Sequence, residues 1–203
     1  MCGIMKVVVI PFGDFSKKQE VCMEIKYDNI VKEVLVSEEE IVEASKKLGE
    51  KITKDYAGKD LVIVGMLVGA MPFMMELIKH IKLPLVMDFM QAKSYHGTVS
   101  SNFVELKRDI VTDIKDKHVL IVDDILDTAQ TITKVMTLLE DRGAASIELC
   151  CLLDKKEGRK VPYEAKYVGI DIQNEFVIGF GLDYFEYYRN LPYIALVDES
   201  LLD

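Results

Sequence analysis

Residues 119–131 read Val-Leu-Ile-Val-Asp-Asp-Ile-Leu-Asp-Thr-Ala-Gln-Thr. An apolar run passes into the neighbouring carboxylates Asp123 and Asp124, then Asp127, then Thr128, Gln130 and Thr131. Ionised carboxylates accept hydrogen bonds without donating, so these three can hold ribose hydroxyls or Mg²⁺, or take a proton. A loop leading into a helix offers N–H groups to a phosphate, and Thr128 and Thr131 add hydroxyl donors. A plainer alternative is that Asp123 and Asp124 end a strand and that Asp127 or Thr128 caps the next helix. Neither GxxxxGK[ST] nor GxGxxG occurs, so the phosphate-loop and dinucleotide fingerprints are absent.

The scaffold for these residues is written in alternating patterns. Residues 61–66 and 119–122 are near-continuous apolar strands, of the kind buried on both faces of a parallel sheet. Residues 85–90, 147–153, 167–170 and 193–197 are further strands. Ser37 and Glu40 spell a capping box, and Ile41, Ala44, Leu48 and Ile52 give the stripe of a helix ending near Tyr56. Pro72 suits the first turn of a second helix, lined by Met74, Leu77, Ile78 and Ile81. A third runs from about Thr131 to Arg142, with Ile132, Val135, Met136 and Leu139 on one face and Gly143 as its stop. The glycine-punctuated stretch around Ser94, Tyr95 and His96 reads as a loop or hairpin tip returning through residues 103–106, with His96 a solvated loop residue. Residues 1–30 read as a β-rich N-terminal extension with a turn at Pro11-Phe12-Gly13-Asp14. The rest, 31–203, reads as one domain: an open, mainly parallel α/β sheet flanked by helices, with ligands met beyond the carboxyl ends of its strands.

Composition narrows the partners. The chain has 203 residues, half of them hydrophobic, and a formal net charge of −9. That length can bury a core without disulfide or metal staples. The acidic balance disfavours nucleic acid and membrane surfaces as partners. No apolar run approaches the roughly 20 residues of a spanning helix, and the N-terminus lacks the features of a signal peptide. Cys2, Cys22, Cys150 and Cys151 form no CxxC pair and read as free thiols in a reducing compartment, the cytoplasm.

Residues 119–131 resemble the diphosphoribosyl-binding motif of type I phosphoribosyltransferases. Residues 37–197 resemble the hypoxanthine-guanine (purine salvage) branch of that family. The supporting pieces, in order, are Ser94-Tyr95-His96-Gly97, the acidic strand end, residues 152–156, residues 176–184 and residues 188–194. The resemblance implies the type I phosphoribosyltransferase fold with a small hood; residues 1–30 read as an extension to it or as a contribution to the hood. It implies transfer of a phosphoribosyl group from phosphoribosyl pyrophosphate to a 6-oxopurine base, with purine nucleoside monophosphate and pyrophosphate as products. Mg²⁺ would be the cofactor and a homodimer or homotetramer the assembly.

The resemblance also implies residue roles. Asp123 and Asp124 would hold the ribose hydroxyls, directly or through Mg²⁺. Asp127 would be the general base near purine N7. Thr128, Ala129, Gln130 and Thr131 would cradle the 5′-phosphate. Leu67, Val68 and Gly69 would meet pyrophosphate, with a cis bond expected at Leu67–Val68. Ser94 and Tyr95 would begin a mobile lid. Lys155 would donate to the purine 6-oxo group, Phe176 would stack on the base and Val177 would offer backbone contacts. Asp183 would lie near the second Mg²⁺, and Arg189 would meet pyrophosphate. Without the resemblance, Lys155-Lys156 reads as a solvated charge pair and Phe176 as a core aromatic.

Four positions depart from the family pattern. Asp123 stands where Glu is usual, Ala129 where Gly is common, and Gln130 where a basic residue is frequent; Val68 also lacks the lysine some members carry. Two rival readings remain. One is a phosphoribosyltransferase with another base acceptor, xanthine included. The other is a non-catalytic module that kept the nucleotide pocket.

Overall fold

The computed structural model describes residues 30–94 and 104–198. In chain order the elements are β1 (Val31–Val36), α1 (Glu38–Asp55), β2 (Leu61–Met66), α2 (Met71–Ile78), β3 (Leu85–Ser94) and β4 (Val104–Arg108). Then come β5 (His118–Leu126), α3 (Gln130–Glu140), β6 (Ser146–Asp154), a 3₁₀ turn (Lys156–Gly158), β7 (Tyr167–Asp171), β8 (Val177–Ile178) and β9 (Ile194–Val197).

The apolar runs become the middle of the sheet, because a strand covered on both faces tolerates no polar alternation. Every residue of β2 is buried. The strand order is β4-β3-β2-β5-β6-β7. All pairings are parallel except the β3–β4 hairpin at one edge. Successive residues then face opposite layers. Ile63, Leu120, Val122 and Cys150 pack with Ile41, Leu48 and Ile52 of α1 and Phe73, Met74 and Leu77 of α2. Val62, Val64, Val119, Ile121 and Cys151 pack with Ile132, Val135 and Leu139 of α3. Helices therefore cover both faces, as the alternating pattern implies. The two neighbouring cysteines are free and buried, one in each layer, and burial pushes both thiols well up.

The capping box forms as expected. Ser37 Oγ accepts from the Glu40 N–H at 3.2 Å, and Glu40 Oε2 accepts from the Ser37 N–H at 2.9 Å. Pro72 sits in the first turn of α2. α3 begins one residue before the expected Thr131 and ends two before Arg142, and Gly143 follows with φ 77°.

A second sheet, antiparallel β1-β9-β8, shares no strand pairing with the first, and its Val36, Val177, Ile194 and Leu196 pack into the same core layer as α1 and α2. The strand expected at 193–197 belongs here, and β1 and β8 were not legible as strands. β1 alternates only weakly, with Val34 52% exposed, and β8 is two residues long. The β-rich extension expected over residues 1–30 lies outside the described residues except for the buried Ile30.

Candidate active site at the carboxyl ends of the strands

β2, β5 and β6 are neighbours in register, so the loops that leave their carboxyl ends share one rim of the sheet. That rim gathers most of the candidate residues. Leu67, Val68 and Gly69 leave β2 toward α2. Asp123 and Asp124 belong to the end of β5, and Asp127 to Ala129 link it to α3. Asp154 ends β6, and Lys155 opens the 3₁₀ turn.

The loop after β2 holds the expected cis bond at Leu67–Val68. Gly69 faces Asp124 so closely that a Cβ there would overlap the Asp124 carboxylate, and the Gly181 carbonyl lies on the same side. The sequence spacing alone does not bring these three positions together. Val68 is 42% exposed.

Asp123 and Asp124 are partly buried side by side. The Asp124 N–H donates to Asp123 Oδ1 at 3.1 Å, and the Ile125 N–H donates to Asp124 Oδ1 at 2.8 Å. Burial and the neighbouring Asp124 carboxylate push the Asp123 carboxyl well up. Burial also raises Asp124, though hydrogen bonds and the Arg189 charge offset part of the rise. The two carboxylates crowd each other, and Arg189 offsets this only at Asp124. Among the described residues, no group of three or more His, Cys, Asp or Glu side chains is assembled to hold a metal ion. Two carboxylates fit a Mg²⁺ ion that keeps waters and substrate oxygens in its shell, rather than an all-protein cage.

Ala129 is the residue before α3 and is left-handed, with φ 62°. It is buried and makes no side-chain cap. Asp127 therefore does not cap the helix. Thr128 Oγ1 accepts from the Gln130 N–H at 3.4 Å. The first turn of α3 holds Gln130 and Thr131 and no acidic residue, which leaves its positive end suited to an anion.

Asp127 and Lys155 meet across the β5 and β6 ends, Oδ2 to Nζ, at 3.7 Å. Lys155 is only 8% exposed, so it is not half of a solvated pair. Its neighbour Lys156 is that half, reaching Asp171 at 2.8 Å on the surface. Gly158 lies against Asp127 as Gly69 lies against Asp124: a Cβ at Gly158 would overlap Asp127 Oδ1.

The last candidates come from the segment between β7 and β9. Phe176 is 39% exposed and meets Tyr184 edge to face at 6.0 Å, so it is not a core aromatic. Its carbonyl accepts from the Val197 N–H at 3.2 Å. Val177 is buried in β8. Arg189 reaches Asp183 at 2.7 Å and Glu186 at 2.9 Å, and donates to the Gly181 carbonyl at 2.6 Å. Tyr184 and Tyr188 pack on the small sheet, while Phe185 and Tyr187 are exposed. Ser94 ends β3, and Tyr95 and His96 of the expected lid lie outside the described residues.

Two residues of this rim were not legible beforehand. Arg159 and Gly158 sit in the run Lys-Lys-Glu-Gly-Arg-Lys, which reads as solvated charge. Nothing in that run marks Arg159 as turned inward. Only the fold brings it to the carbonyls of Leu126 and Asp127.

Comparison with known proteins agrees with this arrangement. A model of the phosphoribosyl transferase domain family matches residues 33–184. The hypoxanthine-guanine phosphoribosyltransferase of Streptococcus pneumoniae is 53% identical over 86% of this chain and 97% of its own. That of Lactococcus lactis is 51% identical over 86% of this chain and 96% of its own. The crystal structure of a hypoxanthine phosphoribosyltransferase from Staphylococcus aureus superposes with a TM-score of 0.83 at 48% identity, covering 86% of this chain and 96% of that one.

Proposed function

The chain belongs to the phosphoribosyl transferase family, in its hypoxanthine-guanine branch, and from that premise we propose that its site works as follows. The enzyme joins the phosphoribosyl group of phosphoribosyl pyrophosphate to hypoxanthine or guanine, giving IMP or GMP. The bond from C1′ to the pyrophosphate oxygen breaks, and its electron pair leaves with pyrophosphate. The new bond forms from purine N9, and the proton on N7 passes to the Asp127 carboxylate.

One observation carries this reading: Asp127 and Lys155 stand 3.7 Å apart on the strand rim. O6 and N7 lie side by side on one edge of a 6-oxopurine. An acceptor next to a donor therefore matches a protonated N7 next to an oxo group. Lys donates and never accepts, so Lys155 would face a 6-amino group without a partner. That selects hypoxanthine and guanine over adenine, and it does not select against xanthine. Phe176 covers the base face, and Val177 meets the base through its backbone.

Asp123 and Asp124 hold the ribose hydroxyls, and the first turn of α3 with Thr128, Ala129, Gln130 and Thr131 holds the 5′-phosphate. Leu67, Val68 and Gly69 meet pyrophosphate on one side and Arg189 on the other, where charge-assisted bonds are strong. Asp123, Asp124 and Asp183 are the residues suited to Mg²⁺, which when bound offsets the charge of pyrophosphate. Closure of the segment that begins at Ser94 and Tyr95 would exclude water from the reacting carbon. The free thiols of Cys150 and Cys151 support a reducing compartment, the cytoplasm. A dimer or tetramer is the assembly that membership of this family supports.

Pyrophosphate release tests the proposal. Purified protein is given phosphoribosyl pyrophosphate, Mg²⁺ and, in turn, hypoxanthine, guanine, xanthine, adenine and uracil. Turnover with hypoxanthine or guanine and none with adenine or uracil is expected. Turnover with adenine equal to that with hypoxanthine would overturn the role of Lys155.

A further inference from the structure

We infer that Arg159 is a positioning residue for the proton-transfer step: it fixes the backbone from which Asp127 works, and the adjacent Gly158 sets where the Asp127 carboxylate can stand. This rests on the reading of Asp127 as proton acceptor.

The stretch from Leu126, the last residue of β5, to Thr128 has not yet entered α3. Its carbonyls need donors from elsewhere. All three receive them from one segment, the turn after β6. The Lys155 N–H donates to the Leu126 carbonyl at 3.0 Å. Arg159 Nη1 donates to the carbonyls of both Leu126 and Asp127. The N–H groups of Lys160 and Val161 donate to the Thr128 carbonyl at 3.1 and 3.2 Å.

The guanidinium is itself held. Nη1 also donates to the Lys155 carbonyl at 3.1 Å, and Nε donates to the Tyr163 carbonyl at 3.2 Å. Nη2 pairs with Asp154, a carboxylate that is buried at the end of β6. A rigid planar fork can serve carbonyls from two loops and a carboxylate at once. A lysine in its place keeps the charge and loses that geometry. Arg159 thus ties the Asp127 loop, the Lys155 turn and β6 into one unit. Gly158 completes it from the side, since it leaves the space that the Asp127 carboxylate occupies.

The consequence is kinetic. A displacement of about 1 Å at a reacting group can lower a rate by roughly 10²-fold. The test is a double-mutant cycle on kcat with the full-length enzyme, using Arg159→Lys and Asp127→Asn singly and together. The expected result is that Arg159→Lys lowers kcat by about 10²-fold with KM for phosphoribosyl pyrophosphate held within about threefold. In the Asp127→Asn background the same change should lower kcat by less than about threefold, because the group it positions is gone. Equal losses in the two backgrounds, or an unchanged kcat in Arg159→Lys, would overturn the inference. Should Asp127→Asn alone leave kcat unchanged, the proton-acceptor reading itself fails, which is a separate outcome. If thermal melting shows that Arg159→Lys has lost its fold, the cycle is run with Gly158→Ala, where a methyl displaces the Asp127 carboxylate and the same coupling is expected; losses equal in both backgrounds there would overturn the inference too.

Discussion

Asp88 on β3 and Asp123 on β5 are carboxylates two strands apart in one sheet, and the fold treats them in opposite ways. Asp88 accepts from the N–H groups of Val111 and Thr112 at 2.8 Å each and from that of Phe89 at 2.7 Å. Burial opposes its ionisation, but those bonds outweigh it and hold the carboxyl below its usual range. Asp109, on the same loop as Val111, is held low by the Arg142 guanidinium, which grips it with two bonds at 2.7 and 2.8 Å. Both residues fasten the segment after β4 to its surroundings. Asp123 instead faces Asp124, and burial together with that neighbour raises its carboxyl. A carboxylate with a structural task is supplied with donors by its own chain. Asp123 and Asp124 receive one N–H donor each, from Asp124 and Ile125, and crowd each other instead.

The sharpest test of this contrast is Asp127, which stands outside both groups: Lys155 faces it at 3.7 Å, and in the proposed function it takes a proton. Asp127→Asn should lower kcat by about 10²- to 10⁴-fold while Tm stays near that of the parent. A large fall in Tm would place Asp127 with the structural carboxylates instead.

Asp88→Asn is the reverse case. An amide replaces a charge that receives three N–H bonds, and hydrogen bonds to charged groups contribute about 1.5–3 kcal/mol each. Losing roughly one such contribution should lower Tm by about 3–12 °C, with kcat for folded enzyme little changed. Differential scanning calorimetry beside steady-state kinetics reads both.

Asp123→Asn should raise the Tm of the ligand-free protein, by about 2–4 °C for roughly 1 kcal/mol of relieved repulsion. It should also raise KM for phosphoribosyl pyrophosphate. A fall in Tm would show that the pair is already neutralised within the fold. The smallest effect is expected at Arg142. Its partner Asp109 is 46% exposed, so Arg142→Gln should destabilise by less than about 1 kcal/mol.

The two groups also separate by the sign of their pH dependence. Asp88 and Asp109 have folded values below the unfolded carboxyl value of about 3.9. Their stabilisation is present above that value and is lost as pH falls through the lowered folded values. Asp123 and Asp124 have folded values above it. Their charge opposes folding near neutral pH, and the opposition is relieved as pH falls through the raised values. In ligand-free protein, Asp123→Asn should therefore flatten the rise in Tm on mild acidification, while Asp88→Asn should blunt the loss in stronger acid.

Much of this molecule was legible from residue order alone. β2 and β5 announce themselves because a doubly covered strand must be apolar throughout, and α1 because Ser37 and Glu40 close a cap three residues apart. The acidic strand end was legible for the same reason: Asp123, Asp124 and Asp127 are neighbours in sequence, so their chemistry is local. Tertiary structure alone decided the rest. Lys155 and Phe176 carry no local sign of their surroundings, and one turned out buried beside Asp127 while the other stayed part-exposed. Gly69 and Gly158 matter for carboxylates far along the chain, a closeness that exists only once parallel strands align their carboxyl ends. Arg159 is the clearest case. Its sequence neighbours are surface charges, and its duty comes from the Leu126 and Asp127 carbonyls, which only the folded sheet leaves in need of donors.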